Sequence, residues 1–142
     1  MTLARCRSEL RNTMGSNHDI IKAHYAGSDR KDIAAMMAPV TSKTEWIEMA
    51  GFPYAGTYVG PDAIIAGVFK RIGEDWDGYK FSLERLVDGG KSVVGIGTYA
   101  GTCKKTGRKM SARVVHVWDL DDGKVVRFEQ FTDTKLVADA MA

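Results

Sequence analysis

The chain has 142 residues, of which 44% are hydrophobic and 27% charged, enough for one domain with its own core and too few for two. Its 20 basic and 18 acidic side chains leave a net charge of +2, which excludes the electrostatic footprint of a nucleic-acid or anionic-membrane binder. No apolar run approaches the roughly 20 residues that a membrane helix needs.

Residues 1–16 read as an N-terminal arm, either loose or carrying a short extra helix. The stretch MTLARCRSELRNT is charged throughout and lacks the apolar segment of a secretory signal. Residues 17–142 read as a single domain. Cys6 and Cys103 are far apart and in no motif, which suits a reducing, cytoplasmic setting. His18, His24 and His116 make no metal-ligand spacing with them, so no metal is expected. No P-loop, dinucleotide fingerprint or nucleophile elbow occurs, and no cofactor is expected.

Ser16 and Asp19 resemble a capping box for a helix over about residues 17–27, with Ile20, Ile21, His24 and Tyr25 at helical spacing and Gly27 as its stop. Asp29 is placed to cap a second helix carrying Ile33, Met36 and Met37, stopped by Pro39. The segment TEWIEM alternates and predicts a strand over 43–49. Pro61 is suited to the first position of a third helix carrying Ile64, Ile65, Val68, Phe69 and Ile72, ended by Gly73. Four long β segments follow, at about 79–87, 91–103, 109–120 and 124–132. They are separated by Asp88-Gly89-Gly90, Lys105-Thr106-Gly107 and Asp121-Asp122-Gly123. The basic residues Lys104, Lys105, Arg108 and Lys109 around the second break read as a solvated turn. Helices followed by an antiparallel meander predict an α+β fold, and the glycines inside the long strands predict a strongly bent sheet.

The last hairpin carries the functional argument. A three-residue loop over Asp121-Asp122-Gly123 pairs Trp118 with Val126, His116 with Phe128 and Val114 with Gln130. This collects the apolar side chains on one face and makes His116 and Gln130 diagonal neighbours there. Two readings stay open: a buried pair that satisfies itself, or the polar contacts of a pocket. Trp46 and Glu48 also share a strand face, but periodicity leaves open whether Glu48 points inward. A four-residue loop at 104–107 pairs Tyr99 with Ala112 and puts Tyr99 on the His116 side, as core or as pocket lining.

The order TEWIE, GTYVGPDAI and ARVVHVWDLDDGKVVRFEQFTDT, after a two-helix start, resembles the SnoaL-like branch of the nuclear transport factor 2-like superfamily, which includes ketosteroid isomerase. The resemblance covers about residues 17–140. It implies a cone-shaped α+β barrel, three N-terminal helices packed in a curved antiparallel sheet, with an apolar pocket. It also implies a homodimer joined through the outer sheet face. Activities in the superfamily include polyketide cyclisation, steroid isomerisation, epoxide hydrolysis and dehydration, and some members only bind a ligand.

By resemblance, Glu48 matches the isomerase base and His116 a pocket histidine of the cyclases. Gln130 stands where those cyclases carry a catalytic aspartate, and an amide cannot transfer protons at neutral pH. Ile21 replaces the isomerase's oxyanion tyrosine, and Tyr25 lies one helical turn on. The resulting expectation is that Glu48 and His116 are catalytic. Gln130, Tyr25 and Tyr99 orient an apolar oxygenated ligand, and Trp46, Phe69, Trp118 and Phe128 wall the cavity. One reading is a cofactor-independent isomerase, lyase, cyclase or hydrolase. The other is a non-catalytic ligand-binding protein of the same fold.

Overall fold

The computed structural model describes residues 16–142. The N-terminal arm, with Cys6 in it, lies outside the described residues except for Ser16.

Helix α1 (Asn17–Asp29) begins where the Ser16 hydroxyl accepts the backbone N–H of Asp19 at 3.1 Å. It buries Ile21, His24 and Tyr25, one stripe at helical spacing. Gly27 does not stop it. That glycine is a packing residue, since a Cβ there would meet the Cβ of Ala35 at 2.9 Å. The chain turns at Lys31, which adopts φ 57°, and α2 (Ile33–Met37) follows. The cap of α2 is Asp32, whose carboxylate accepts the N–H of Ala35; Asp29 belongs to the last turn of α1.

Strands β1 (Val40–Glu48) and β2 (Gly56–Val59) form an antiparallel pair. Pro61 then opens α3, as its missing N–H and fixed φ favour. This helix runs through Pro61–Ile64, a π-helical turn at Ile65–Phe69, and Lys70–Asp75, so it passes Gly73. Gly67 sits in the π turn against the Tyr58 ring, where a Cβ would lie 2.1 Å from a ring carbon. Then come β3 (Trp76–Gly89), β4 (Ser92–Cys103), β5 (Lys109–Asp121) and β6 (Lys124–Thr132). A short α4 (Thr134–Met141), capped by Asp133, ends the chain and has no counterpart in the sequence reading.

The sheet order is β2-β1-β6-β5-β4-β3. Strands β3 to β6 are the expected antiparallel meander. The β1–β6 pair is parallel, with Trp46 beside Phe128 and Ile47 beside Glu129. The sheet is therefore mixed rather than wholly antiparallel. It is also open: β2 and β3 are its free edges, so it curves round the helices without closing into a barrel. Only α1 and α2 precede the sheet, because α3 follows β2. No described helix is long and apolar enough to cross a membrane.

The register of the last hairpin differs from the expectation. Its loop is two residues, Asp122-Gly123, with φ 49° and 71°, and Asp121 pairs with Lys124. Positive φ at both central residues gives the turn whose twist matches the strands. The ladder then slips between Asp119 and Leu120, so that Val126 bulges outward, 52% exposed. Beyond the bulge Trp118 pairs with Phe128 and His116 with Gln130. The inward face is as predicted, but the pair is directly opposed rather than diagonal. The Tyr99–Ala112 pairing is the one expected from a four-residue loop.

Replacing Asp32 by alanine removes the cap of α2 and should cost about 1 kcal/mol in a denaturant melt. Replacing Asp29, which caps nothing, should cost less than half of that.

Candidate active site

A cavity of about 690 Å³ lies between the concave sheet and the helices, in the size range of small-molecule sites. Strand β1 supplies Trp46 and Glu48, two residues apart on the buried face. Glu48 is 4% exposed, so the open question of its direction resolves inward. The Trp46 indole N–H donates to Glu48 Oε1 at 3.0 Å. Because β1 runs parallel to β6, the same offset sets the Trp46 ring on Phe128, with centroids 3.8 Å apart, and brings Glu48 beside Gln130. Phe69, projected by the π turn, meets Trp46 edge to face at 5.8 Å.

Behind these walls runs a chain of hydrogen bonds. Trp118 Nε1 donates to the Tyr25 hydroxyl at 2.9 Å, and that hydroxyl lies 2.9 Å from His116 Nδ1. His116 Nε2 lies 2.6 Å from the Tyr99 hydroxyl, which also accepts from Gln130 Nε2 at 2.8 Å. Burial, reinforced by nearby His24, lowers His116 to about 3, so the ring is neutral near pH 7. A neutral imidazole has one donor and one acceptor nitrogen. Trp118 can only donate, so the Tyr25 oxygen accepts from it, and His116, with one N–H and one bare nitrogen, donates to one of the two tyrosine hydroxyls and accepts from the other. Gly95 makes room for this arrangement, since a Cβ there would lie 2.3 Å from the Tyr25 hydroxyl.

The carboxyl has a different environment. Burial raises the pKa of Glu48 to about 7, while hydrogen bonds from Trp46 and Gln130 pull it down less strongly. Among the described residues, three buried side-chain oxygens have no hydrogen-bond partner: Glu48 Oε2, Tyr79 Oη and Gln130 Oε1. All three residues line this cavity. Buried polar atoms are normally satisfied, so three orphans in one place mark a site with room for a ligand's polar atoms.

Of the side chains singled out from sequence, Tyr25, Trp46, Glu48, Phe69, Tyr99, His116, Phe128 and Gln130 line the cavity. Trp118 does not: it is 0% exposed and anchors Tyr25 from behind. Sequence reasoning missed Tyr79 and gave His24 no role. The α1 stripe carried the signal for His24, which lies one turn from Ile21 and Tyr25. Its Nδ1 lies 2.9 Å from the Met36 carbonyl, and burial lowers its pKa to about 4. Tyr79 follows Gly78, which adopts φ 62° where the β3–β4 ladder slips, so the bulge re-aims the ring. No cluster of three or more His, Cys, Asp or Glu able to hold a metal lies among the described residues.

A family model of the SnoaL-like domain matches residues 21–128. The chain belongs to the SnoaL-like family. A crystal structure of an NTF2-like protein from Burkholderia thailandensis E264 is 55% identical to this SnoaL-like chain. It superposes with a TM-score of 0.89 over 90% of this chain and 98% of its own. TerC, co-crystallised with polyporic acid, is 26% identical, with a TM-score of 0.80 over 88% and 97% of the two chains. A SnoaL-like protein from Shewanella denitrificans OS-217 shares the fold at 16% identity, with a TM-score of 0.72 over 88% and 96% of the two chains. No curated protein matches the sequence.

Two measurements test this geometry. Glu48→Gln removes the one buried group whose pKa is raised from 4.5 to about 7. Proton linkage then makes wild type lose stability as pH rises through that window, because the folded form holds the proton longer. The variant should gain on wild type between about pH 4.5 and 7, reaching roughly 3 kcal/mol and levelling off above. His24 and His116 act in the opposite sense, losing stability as pH falls, but they cancel in this comparison. Separately, Gly95→Ala should cost about 1–3 kcal/mol in thermal or chemical denaturation, by driving Tyr25 off His116.

Proposed function

We propose that this SnoaL-like protein is a cofactor-independent acid–base catalyst acting on an apolar, oxygenated small molecule, with Glu48 as the base. One observation carries the reading. A buried carboxyl with a pKa of about 7 turns an unpartnered oxygen toward an aromatic cavity. A base works best when its pKa lies near the working pH, and desolvation is how a carboxyl reaches it. The walls of Trp46, Phe69 and Phe128 suit a flat or ring-bearing ligand, and the crystallisation of TerC with polyporic acid supports a pocket of this fold taking such an organic molecule.

In this reading His116 is a bridge rather than an acid or base. Both its nitrogens are engaged, and burial holds it neutral. It holds Tyr99, and Tyr99 with Gln130 orients the ligand. Gln130 supplies hydrogen bonds only, so the chemistry has one carboxyl where a two-carboxyl mechanism would need a second.

The competing reading is a binding protein without turnover, favoured by the full engagement of His116. A thermal-shift screen of wild type and Glu48→Gln against apolar ketones, enones, epoxides and lactones, followed by turnover assays on the hits, separates the two. Catalysis predicts that Glu48→Gln lowers turnover by about 10²–10⁴-fold. It also predicts that wild-type kcat/KM rises with pH toward a plateau above about 7, as Glu48 ionises. Ligands returned unchanged, or turnover indifferent to Glu48→Gln, would establish the binding reading instead.

A further inference from the structure

His24 differs from His116 in that its surroundings settle which nitrogen holds the proton. Its Nδ1 lies 2.9 Å from the Met36 carbonyl, and a carbonyl can only accept. The ring proton therefore sits on Nδ1. Burial lowers the pKa of the ring to about 4, so near pH 7 it carries no second proton and Nε2 is a bare acceptor. Turning the ring over would set a C–H against the Met36 carbonyl and lose that bond. The rings of Tyr25 and Trp118 also hold it edge to face, with centroids 5.1 and 4.6 Å away.

This acceptor is unused. Nε2 makes no hydrogen bond among the described residues, and His24 lines the cavity. Unlike Glu48 Oε2, Tyr79 Oη and Gln130 Oε1, it is not sealed in by protein atoms. His24 belongs to α1, on the helical side of the cavity, whereas Glu48 and Gln130 stand on the sheet. The Trp46 ring links the two sides, with its centroid 6.3 Å from that of His24 and its N–H on Glu48. The bare nitrogen is thus a polar point of its own, apart from the carboxyl and joined to it by a flat aromatic wall.

We propose that His24 Nε2 selects the substrate by accepting a hydrogen bond from it, and that the substrate therefore carries an alcohol or phenol O–H in addition to the group that meets Glu48. This rests on the reading of the cavity as the site of an oxygenated small molecule, and it adds which end of the hydrogen bond the ligand must bring. A ketone, ether or epoxide with no O–H has only acceptors to offer. Such a ligand strips Nε2 of water and returns nothing, and a site with an unmet buried polar group rejects the analogue that lacks the matching donor. Hydroxylated members of an otherwise apolar series are the ones this site favours.

The probes are naphthalene-2,6-diol and naphthalene, and the protein is the full chain. The diol should bind wild type at least about tenfold more tightly than naphthalene, the worth of one buried hydrogen bond. His24→Asn keeps an amide N–H for the Met36 carbonyl and has nothing at the place of Nε2. It should weaken the diol about tenfold and naphthalene less than about twofold. In wild type labelled with nitrogen-15 at histidine, the diol should move the signal of the unprotonated His24 nitrogen toward that of a hydrogen-bonded acceptor, and naphthalene should move it far less. A diol that binds no tighter than naphthalene, that binds without moving this signal, or whose affinity is indifferent to His24→Asn overturns the inference. The nitrogen signal is read on wild type, so the test stands even where the variant fails to fold. Neither readout involves turnover. A silent His24 leaves Glu48-dependent turnover standing, and turnover indifferent to Glu48 leaves the His24 response standing.

Discussion

The site depends on one contact of the sheet: the parallel pairing of β1 with β6. It joins the first strand to the last across more than 80 residues and stacks Trp46 on Phe128. Without it, Glu48 would sit on a hairpin with β2 alone, and the His116–Gln130 pair would lie on an open sheet edge. Parallel pairing between distant segments costs loop-closure entropy before it returns any contact energy. The aromatic stack and the Thr44 hydroxyl, which donates to the Val125 carbonyl at 2.5 Å, are what offset it here.

Around that seam the interior divides into two kinds of polar group. Trp118, Tyr25, His116 and Tyr99 form a continuous chain of buried hydrogen bonds, in which the indole N–H and both imidazole nitrogens are engaged. Glu48 is held by Trp46 through one oxygen and left open at the other. Satisfied groups give the core a unique arrangement, whereas unsatisfied ones cost stability. Their concentration in one cavity is the pattern of a molecule that tolerates local cost where a ligand is to sit.

This division also accounts for the departure at Gln130. In a site with two carboxyls, like charges push one of them toward neutrality. Here the amide beside Glu48 cannot ionise, so desolvation alone raises the carboxyl, and the amide moderates it by donating. The substitution changes the site's chemistry without disturbing its shape, since Gln130 is still fully buried on the same strand face.

The sequence by itself determined the α+β class, the helix starts at Ser16 and Pro61, the four meander strands and the inward face holding His116, Trp118, Phe128 and Gln130. These follow from local physics: capping, turn chemistry and the two-residue period of a strand. It did not determine the bulge at Val126, because a two-residue turn with a slip and a three-residue turn put the same side chains inward and differ only in which residues face each other. Tertiary structure alone decided that Glu48 points inward, because both faces of its strand carry mixed residues and only pairing with β6 chooses between them. It alone decided that Tyr79 reaches the cavity, since the re-aiming comes from a slip against β4. It also decided the parallel seam, because nothing local in β1 or β6 encodes a neighbour more than 80 residues away.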